Sequence, residues 1–196
     1  MRKSFCSLIS FLLFSLLACG AASAHWYVAP TGNDANNGSK RKPLKTIAAA
    51  LQRVNPGDTV FLREGSYGEF VVPTRSGKPG KMITLKSYPG EIAKIDGSDL
   101  YIKGWGNALV QVNNIDYMQF ENLHICHAHD SENNTDPEGI YITGTSGNIT
   151  FRGCKVYDIK NDCPLVDAKG DWRSAHAILV LGTDAVSYTH LRAHET

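Results

Sequence analysis

Residues 118–125 (MQFENLHI) and residues 149–156 (ITFRGCKV) carry the same pattern of apolar side chains at one constant offset. The apolar strands that precede them, at residues 110–112 and 140–142, repeat at nearly the same offset. Residues 178–180 carry the pattern once more, after a longer interval. A nearly fixed interval with matched side chains is typical of a solenoid, in which each repeat stacks on the next.

Within each repeat the buried face of the chain changes at one corner. Apolar side chains occupy odd positions in residues 149–151 and even positions in residues 154–156. Because side chains alternate along a strand, this change requires a bend, which we place at Asn122 and Gly153. Asn and Gly tolerate the left-handed backbone that such a bend uses. The pattern therefore predicts an all-β fold, a parallel β-helix with three strands in each coil, and not an antiparallel β-sandwich.

Residues 46–54 are predicted to form one amphipathic helix before the strands begin. Its apolar residues fall at i, i+3, i+4 and i+7, and Asn55-Pro56-Gly57 ends it. We expect this helix to cover the open end of the β-helix, where unpaired strand edges would otherwise be exposed.

The N-terminal residues 1–24 have the features of a secretory signal peptide. Arg2 and Lys3 precede an apolar run, and Ala22-Ser23-Ala24 forms a cleavage site. The alternative is a lipoprotein signal in which Cys19 is lipidated. Both interpretations predict export, to the medium, the periplasm or the cell surface, with no transmembrane span in the mature chain.

The C-terminal residues 186–196 (VSYTHLRAHET) do not continue the coil pattern. They resemble the translation of an adapter used in transposase-based sequencing libraries, so we expect them to be an artefact. The natural part of the domain is then residues 25–185, a β-helix truncated at its C-terminus.

The composition allows one domain and excludes several classes of partner. The 196 residues include 20 basic and 19 acidic side chains, a formal net charge of +1. This balance gives no bulk attraction to nucleic acid or anionic lipid. We expect a monomer.

Four segments resemble the opening of secreted right-handed parallel β-helix proteins, and the chain is most similar to family 9 polysaccharide lyases, which are pectate-lyase-like. The segments are residues 26–34 (WYVAPTGND), 43–50 (PLKTIAAA), 56–67 (PGDTVFLREGSY) and 83–91 (ITLKSYPGE). The resemblance implies a secreted lyase that cleaves acidic, pectate-like polyuronides by Ca²⁺-assisted β-elimination.

In that family an Asp cluster holds Ca²⁺ and a Lys or Arg removes the proton, and both come from later coils than those present here. The resemblance therefore implies an inactive fragment whose catalytic residues and Ca²⁺ ligands are missing. The alternatives are a glycoside hydrolase or epimerase on the same scaffold, and a non-catalytic carbohydrate-binding or surface β-helix protein.

In pectate-lyase-like folds the substrate lies over the first strand of each coil and the loop before it. The alternation of side chains places Gln111, Tyr141 and Thr143 on the outer face of that strand. Glu138 and His176 stand where the strand begins in successive coils, and Asp136 lies slightly earlier. These six residues are the candidate sugar-binding set, and the alternative is a solvated flank in which Glu138 and His176 interact across coils.

Residues 124–130 (HICHAHD) concentrate three histidines and one cysteine. A transition-metal site is one interpretation, and solvated or disulfide-linked side chains are the other. We expect Cys126 to pair with Cys163, because both flank the same side loop in adjacent coils.

Overall fold

Successive strands of the chain stack into three parallel sheets around one core. The computed structural model describes residues 23–100, 102, 108–130, 136–161, 175–182, 185–189 and 192–194. In this part of the chain the elements are β1 His25–Val28, α1 Ile47–Leu51, β2 Thr59–Leu62, β3 Gly65–Tyr67, β4 Ile83–Ser87, β5 Ala93–Asp96, β6 Ala108–Asn113, β7 Asp116–Glu121, β8 Leu123–Asp130, β9 Glu138–Thr143, β10 Gly147–Arg152, β11 Lys155–Asn161, β12 His176–Val180, β13 Ala185–Thr189 and β14 Arg192–His194.

From β6 onward, each coil adds one strand to each of the three sheets. The six-stranded sheet has the order β1-β2-β4-β7-β10-β13, the five-stranded sheet β3-β5-β8-β11-β14, and the three-stranded sheet β6-β9-β12. Every strand pairing is parallel. The predicted parallel β-helix is confirmed, and the antiparallel sandwich is wrong for this chain.

The coil register agrees with the sequence repeat residue by residue. Ile149 lies beside Met118 and Phe151 beside Phe120 in the six-stranded sheet. In the five-stranded sheet Val156 lies beside Ile125. The three-stranded sheet follows the same rule, with residues 110, 140 and 178 in register. The matched apolar side chains therefore stack on one another along the axis of the β-helix.

The predicted corners are left-handed. Asn122 has φ 53° and Gly153 has φ 65°, and they separate the strands of the six-stranded sheet from those of the five-stranded sheet. An ideal Cβ on Gly153 would lie 2.2 Å from Asn122 Oδ1. The two corners are therefore stacked closely, and a side chain at position 153 would require the Asn122 side chain to move.

The core is a column of apolar side chains from all three sheets. Leu85, Phe120 and Phe151 follow one another in register in the six-stranded sheet, and each has no exposed surface. The rings of Phe120 and Phe151 stack with their centroids 4.5 Å apart and their planes 4° apart. Stacking of like side chains in successive coils gives the core its continuity, because each coil buries the face of its neighbour.

Helix α1 is shorter than predicted but has the predicted apolar face. Ile47, Ala50, Leu51 and Val54 are all buried. After Leu51 the regular hydrogen-bond pattern is interrupted, because Arg53 N–H donates to Ala50 O in a tighter turn, and Ala50 O also accepts from Val54 N–H. The helix therefore ends at Leu51 instead of Val54, and it packs on β1 and β2 at the start of the solenoid.

Two carboxylates and a hydroxyl bind the free N–H groups at the start of α1. The Thr46 hydroxyl accepts a hydrogen bond from Ala49 N–H, and the Glu69 carboxylate accepts from Ile47 and Ala48. Asp34 accepts from the backbone N–H of Lys45 and Thr46 and from the Thr46 hydroxyl. Burial opposes ionisation of Asp34, but these hydrogen bonds prevail and lower its pKa. They fix the short helix over the end of the sheets.

The backbone pairing extends into residues 186–196. Strand β13 continues the six-stranded sheet beside β10, and β14 lies beside β11. The predicted adapter origin of residues 186–196 concerns their codons, so it stays a prediction.

Residues 1–22 of the predicted signal peptide, including Cys19, lie outside the described residues. Among the residues described, no helix is both long and apolar enough to span a membrane.

Candidate functional site

The outer face of the three-stranded sheet carries the predicted sugar-binding side chains of β6 and β9. Gln111 lies beside Tyr141 and Asn113 beside Thr143, on adjacent coils. Gln111, Tyr141 and Thr143 are half-buried, whereas their neighbours Val112 and Ile142 are in the core. The structure thus brings three of the six predicted residues onto one polar face. Their role in binding substrate stays a prediction.

Glu138 and His176 lie next to each other in register, but they are not on a solvated flank. Glu138 is only 3% exposed, because it shares the inward side of β9 with Ile140 and Ile142. Within the described residues, Glu138 Oε2 and His176 Nδ1 are buried and have no hydrogen-bond partner. The expectation of exposed side chains at this point was wrong for Glu138, since the alternation that places Tyr141 outward places Glu138 inward.

Burial and the nearby Asp136 carboxylate raise the pKa of Glu138 to about 7. An ionised carboxylate in an apolar environment loses its hydration, and the second negative charge adds repulsion. Asp136 lies two residues earlier and is half-buried. These residues therefore form a buried acid that changes its protonation state near neutral pH, at the edge of the predicted substrate face.

We expect Glu138→Gln to remove a pH dependence of stability. The folded pKa of about 7 lies above the ordinary value of 4.5, so the contribution of Glu138 to stability is complete below pH 4.5 and is lost as the pH rises through 7. At pH 8 the variant should exceed the wild type by up to about 3 kcal/mol in free energy of unfolding, and at pH 4.5 the two should agree.

Urea unfolding at both pH values measures this difference, with Glu64→Gln as a control in an exposed side chain. A variant whose advantage is the same at pH 4.5 and pH 8 would show that Glu138 does not titrate near 7.

A second cluster of polar side chains lies on the five-stranded sheet. His127 Nδ1 is 2.8 Å from Asp96 Oδ1, and the Ser98 hydroxyl lies within hydrogen-bond distance of both. The buried Cys126 thiol belongs to the same group. Cys126 and His127 belong to the cluster predicted at residues 124–130, whereas Asp96 was not predicted to join it. The coil interval would have found it, because Asp96 lies one coil before Cys126 and beside it in register.

The predicted Cys126–Cys163 disulfide is not formed in the structure. Cys126 is a free thiol with no exposed surface, packed between Asp96 and Tyr157 of the neighbouring coils. Cys163 lies outside the described residues. Cys154 is also free, as expected for an inward core residue, and burial raises its pKa to about 11.

The outer face of the six-stranded sheet carries a set of aromatic and basic side chains. Tyr27 stacks on Phe61 with ring centroids 5.3 Å apart, and Tyr88 packs edge-on against Phe61 at 5.7 Å. Lys40 Nζ and the Arg63 guanidinium lie 4.7 and 5.0 Å from the Tyr88 ring centroid. We call this set the aromatic–basic row: Tyr27, Phe61, Tyr88, Lys40, Arg63 and Lys86.

The row continues along the sheet as a line of charges. Lys86, Glu121 and Arg152 occupy successive coils in register, and Glu121 forms ion pairs with both basic residues. Beside this line is a groove of about 750 Å³ whose floor includes Thr84 and Gln119. The repeat interval applied to outward residues, as it was to inward ones, would have revealed this line.

A Ca²⁺ site does not fit the residues described. Ca²⁺ takes six to eight oxygen ligands, typically several carboxylates. Among the described residues, the one group of three potential ligands is Asp96, Cys126 and His127, which offers a single carboxylate. We therefore derive no catalytic step through Ca²⁺ from this part of the chain.

Sequence comparison relates the chain to lyases of the pectate class. It is 31% identical over 144 residues to the uncharacterized protein YwoF of Bacillus subtilis (strain 168), covering 74% of this chain and 31% of that protein. It is 26% identical over 147 residues to pectate lyase PEL9 of Emericella nidulans, covering 69% of this chain and 34% of that protein. The chain thus spans about a third of the length of these curated relatives.

Solved structures have the same fold. Pectate lyase Pel9A superimposes with a TM-score of 0.54 at 25% identity, over 72% of this chain and 35% of that chain. The GH136 lacto-N-biosidase of Eubacterium ramulus superimposes with a TM-score of 0.65 at 19% identity, over 86% of this chain and 34% of its own, which is a likeness of fold alone.

The family assignment rests on a match over most of the chain. The model of the Pel9A-like right-handed β-helix region matches residues 26–192. That range includes the coils, the corners and the capping helix described above. The chain therefore belongs to the Pel9A-like right-handed β-helix family.

Proposed function

We propose that the chain is the N-terminal part of an exported polysaccharide lyase that acts on pectate-like polyuronides by β-elimination. The observation that carries the proposal is the Pel9A-like family match over residues 26–192, which agrees with the similarity to pectate lyase PEL9. In this proposal the coils described here bind substrate. The catalytic base and the Ca²⁺ ligands come from coils that follow them.

The aromatic–basic row supports an acidic polysaccharide as the partner. Aromatic rings present flat apolar faces to the C–H faces of sugar rings, and basic side chains pair with uronate carboxylates. Four basic residues, Lys40, Arg63, Lys86 and Arg152, stand on this face against the two carboxylates of Glu91 and Glu121. The difference of two positive charges favours a polyanion over a neutral glycan.

The activity test uses the full-length protein, recovered by sequencing past residue 185. We expect unsaturated uronide absorbance to increase with polygalacturonate as substrate and chelator to abolish the increase. No product across a panel of uronides would contradict the proposal. New reducing ends without unsaturated product would instead identify a hydrolase, and binding without turnover a carbohydrate-binding protein.

We expect Lys40→Gln to weaken polygalacturonate binding by up to about fivefold, since an exposed ion pair contributes at most about 1 kcal/mol. Lys40 Nζ is exposed and is held 2.6 Å from the Tyr88 hydroxyl, so it presents its charge beside the ring. Affinity electrophoresis or calorimetry at low and high salt measures the effect.

The matched control is Lys94→Gln, which removes the same charge from the five-stranded sheet. Equal losses in the two variants would attribute binding to net charge and contradict a role for the row.

A further inference from the structure

Two left-handed residues interrupt the regular alternation of the five-stranded sheet at the same level. His127 has φ 60° and Asp158 has φ 55°, and they lie at matching positions of β8 and β11. Consecutive side chains of a regular strand point to opposite faces. A left-handed residue breaks that rule and allows Cys126 and His127 to direct their side chains toward the same place.

The preceding coil supplies a carboxylate to that place. Asp96 lies beside Cys126 in register, and its Oδ1 atom is 2.8 Å from His127 Nδ1. One ligand atom from each of Asp96, Cys126 and His127 lies within 4.8 Å of the other two. Ligand atoms around a tetrahedral metal ion with bonds of 2.0–2.3 Å are roughly 3–4 Å apart, so small side-chain movements suffice to close the set.

We propose that Asp96, Cys126 and His127 form a binding site for a transition-metal dication of the Zn²⁺ class. A thiolate, an imidazole and a carboxylate are all Zn²⁺ ligands, whereas sulfur and nitrogen are poor ligands for Ca²⁺. Three protein ligands leave a fourth position for water or for the Ser98 hydroxyl, which lies 2.6 Å from Asp96 Oδ1. The site is separate from the proposed substrate faces and does not depend on lyase activity.

The other ring nitrogen of His127 faces a carboxylate, as in many metal-binding histidines. His127 Nε2 is 3.5 Å from Asp158 Oδ2, and Lys160 Nζ holds the second oxygen of Asp158 at 2.5 Å. Carboxylates therefore face both ring nitrogens of His127, Asp96 at Nδ1 and Asp158 at Nε2. A metal ion bound at Nδ1 would take the place of the proton shared with Asp96, and the Nε2 proton would remain for Asp158.

The neighbouring coil covers the thiol. Tyr157 lies beside Cys126 in register, on the next coil. A thiol binds Zn²⁺ as the thiolate, so metal binding releases the Cys126 proton to solvent.

Co²⁺ titration of the purified, reduced mature protein tests the site, because thiolate ligation to Co²⁺ produces a charge-transfer band. We expect one equivalent of Co²⁺ to produce the band and Zn²⁺ to displace it. Cys126→Ser should remove the band, and Asp158→Asn should weaken Co²⁺ binding by about tenfold or more. The matched control is Cys154→Ser, which alters the other free thiol and should keep the band.

A second measurement needs no variant. Zn²⁺ should protect Cys126 from alkylation, as read by mass spectrometry of the reduced wild-type protein, and chelator should remove the protection. Absence of a band and of protection in the folded wild type would overturn the proposal. A band that persists in folded Cys126→Ser would overturn it as well, because the metal would then be bound elsewhere.

Discussion

Phe120→Ala is expected to lower the free energy of unfolding by about 3–5 kcal/mol, the range found for large-to-small changes of a buried aromatic residue. Phe120 has no exposed surface, and its ring stacks on Phe151 with centroids 4.5 Å apart. It also lies beside Leu85 of the preceding coil. Alanine would leave a cavity in the middle of the column and remove contacts to two neighbouring coils at once.

Urea denaturation followed by far-UV circular dichroism measures this loss. The control is Phe61→Ala in the same sheet, where the ring lies on the outer face and packs on Tyr27. We expect that variant to lose about 1 kcal/mol, the scale of an aromatic pair at a surface. Equal losses in the two variants would show that the stacked column is not the core of the fold.

Gly153→Val is expected to lower the free energy of unfolding by more than about 2 kcal/mol, because a β-branched residue at positive φ is strained and its Cβ needs space. Gly153 has φ 65°, and an added Cβ would meet Asn122 Oδ1 of the preceding corner at 2.2 Å. The strain is at the turn between the six-stranded and five-stranded sheets, so it affects the register of both.

The matched variant is Gly153→Asn, which introduces the residue type found at the equivalent corner one coil earlier, Asn122. Asparagine tolerates the left-handed region better than valine, so we expect a smaller loss. If valine and asparagine have the same effect in thermal unfolding, the corner does not impose a left-handed backbone.

The fold could be predicted from the sequence because one physical rule repeats in every coil. Inward positions must be apolar, and the interval between coils is nearly constant, so pairs such as Met118 and Ile149 identify the register without reference to loops. The corner at Gly153 was predictable because the apolar side chains change there from odd to even positions. Helix α1 was harder to delimit, since its last predicted residues turn more tightly before Pro56.

The candidate sites were less predictable because they depend on departures from that rule. Left-handed φ at His127 is not apparent from a histidine, yet it brings this side chain and Cys126 together. Asp96 is isolated in the sequence and joins them only through the coil register. The alternation of side chains along β9 does place Glu138 inward, but its position at the start of the strand suggested a solvated residue.

All of the sites above depend on the coil register, and a pair of engineered cysteines tests it most directly. Gln119 and Thr150 are register partners on the outer face of adjacent coils. Paired parallel strands are about 4.8 Å apart, within the range of Cα separations that a disulfide spans.

We predict that the double variant with Gln119→Cys and Thr150→Cys forms a disulfide under mild oxidation, identified by mass spectrometry of the linked peptides. The control double variant has Gln119→Cys and Arg152→Cys. Its second cysteine is displaced by two residues on the same face, so it should not form a disulfide. A disulfide in the displaced pair, or none in the register pair, would contradict the account.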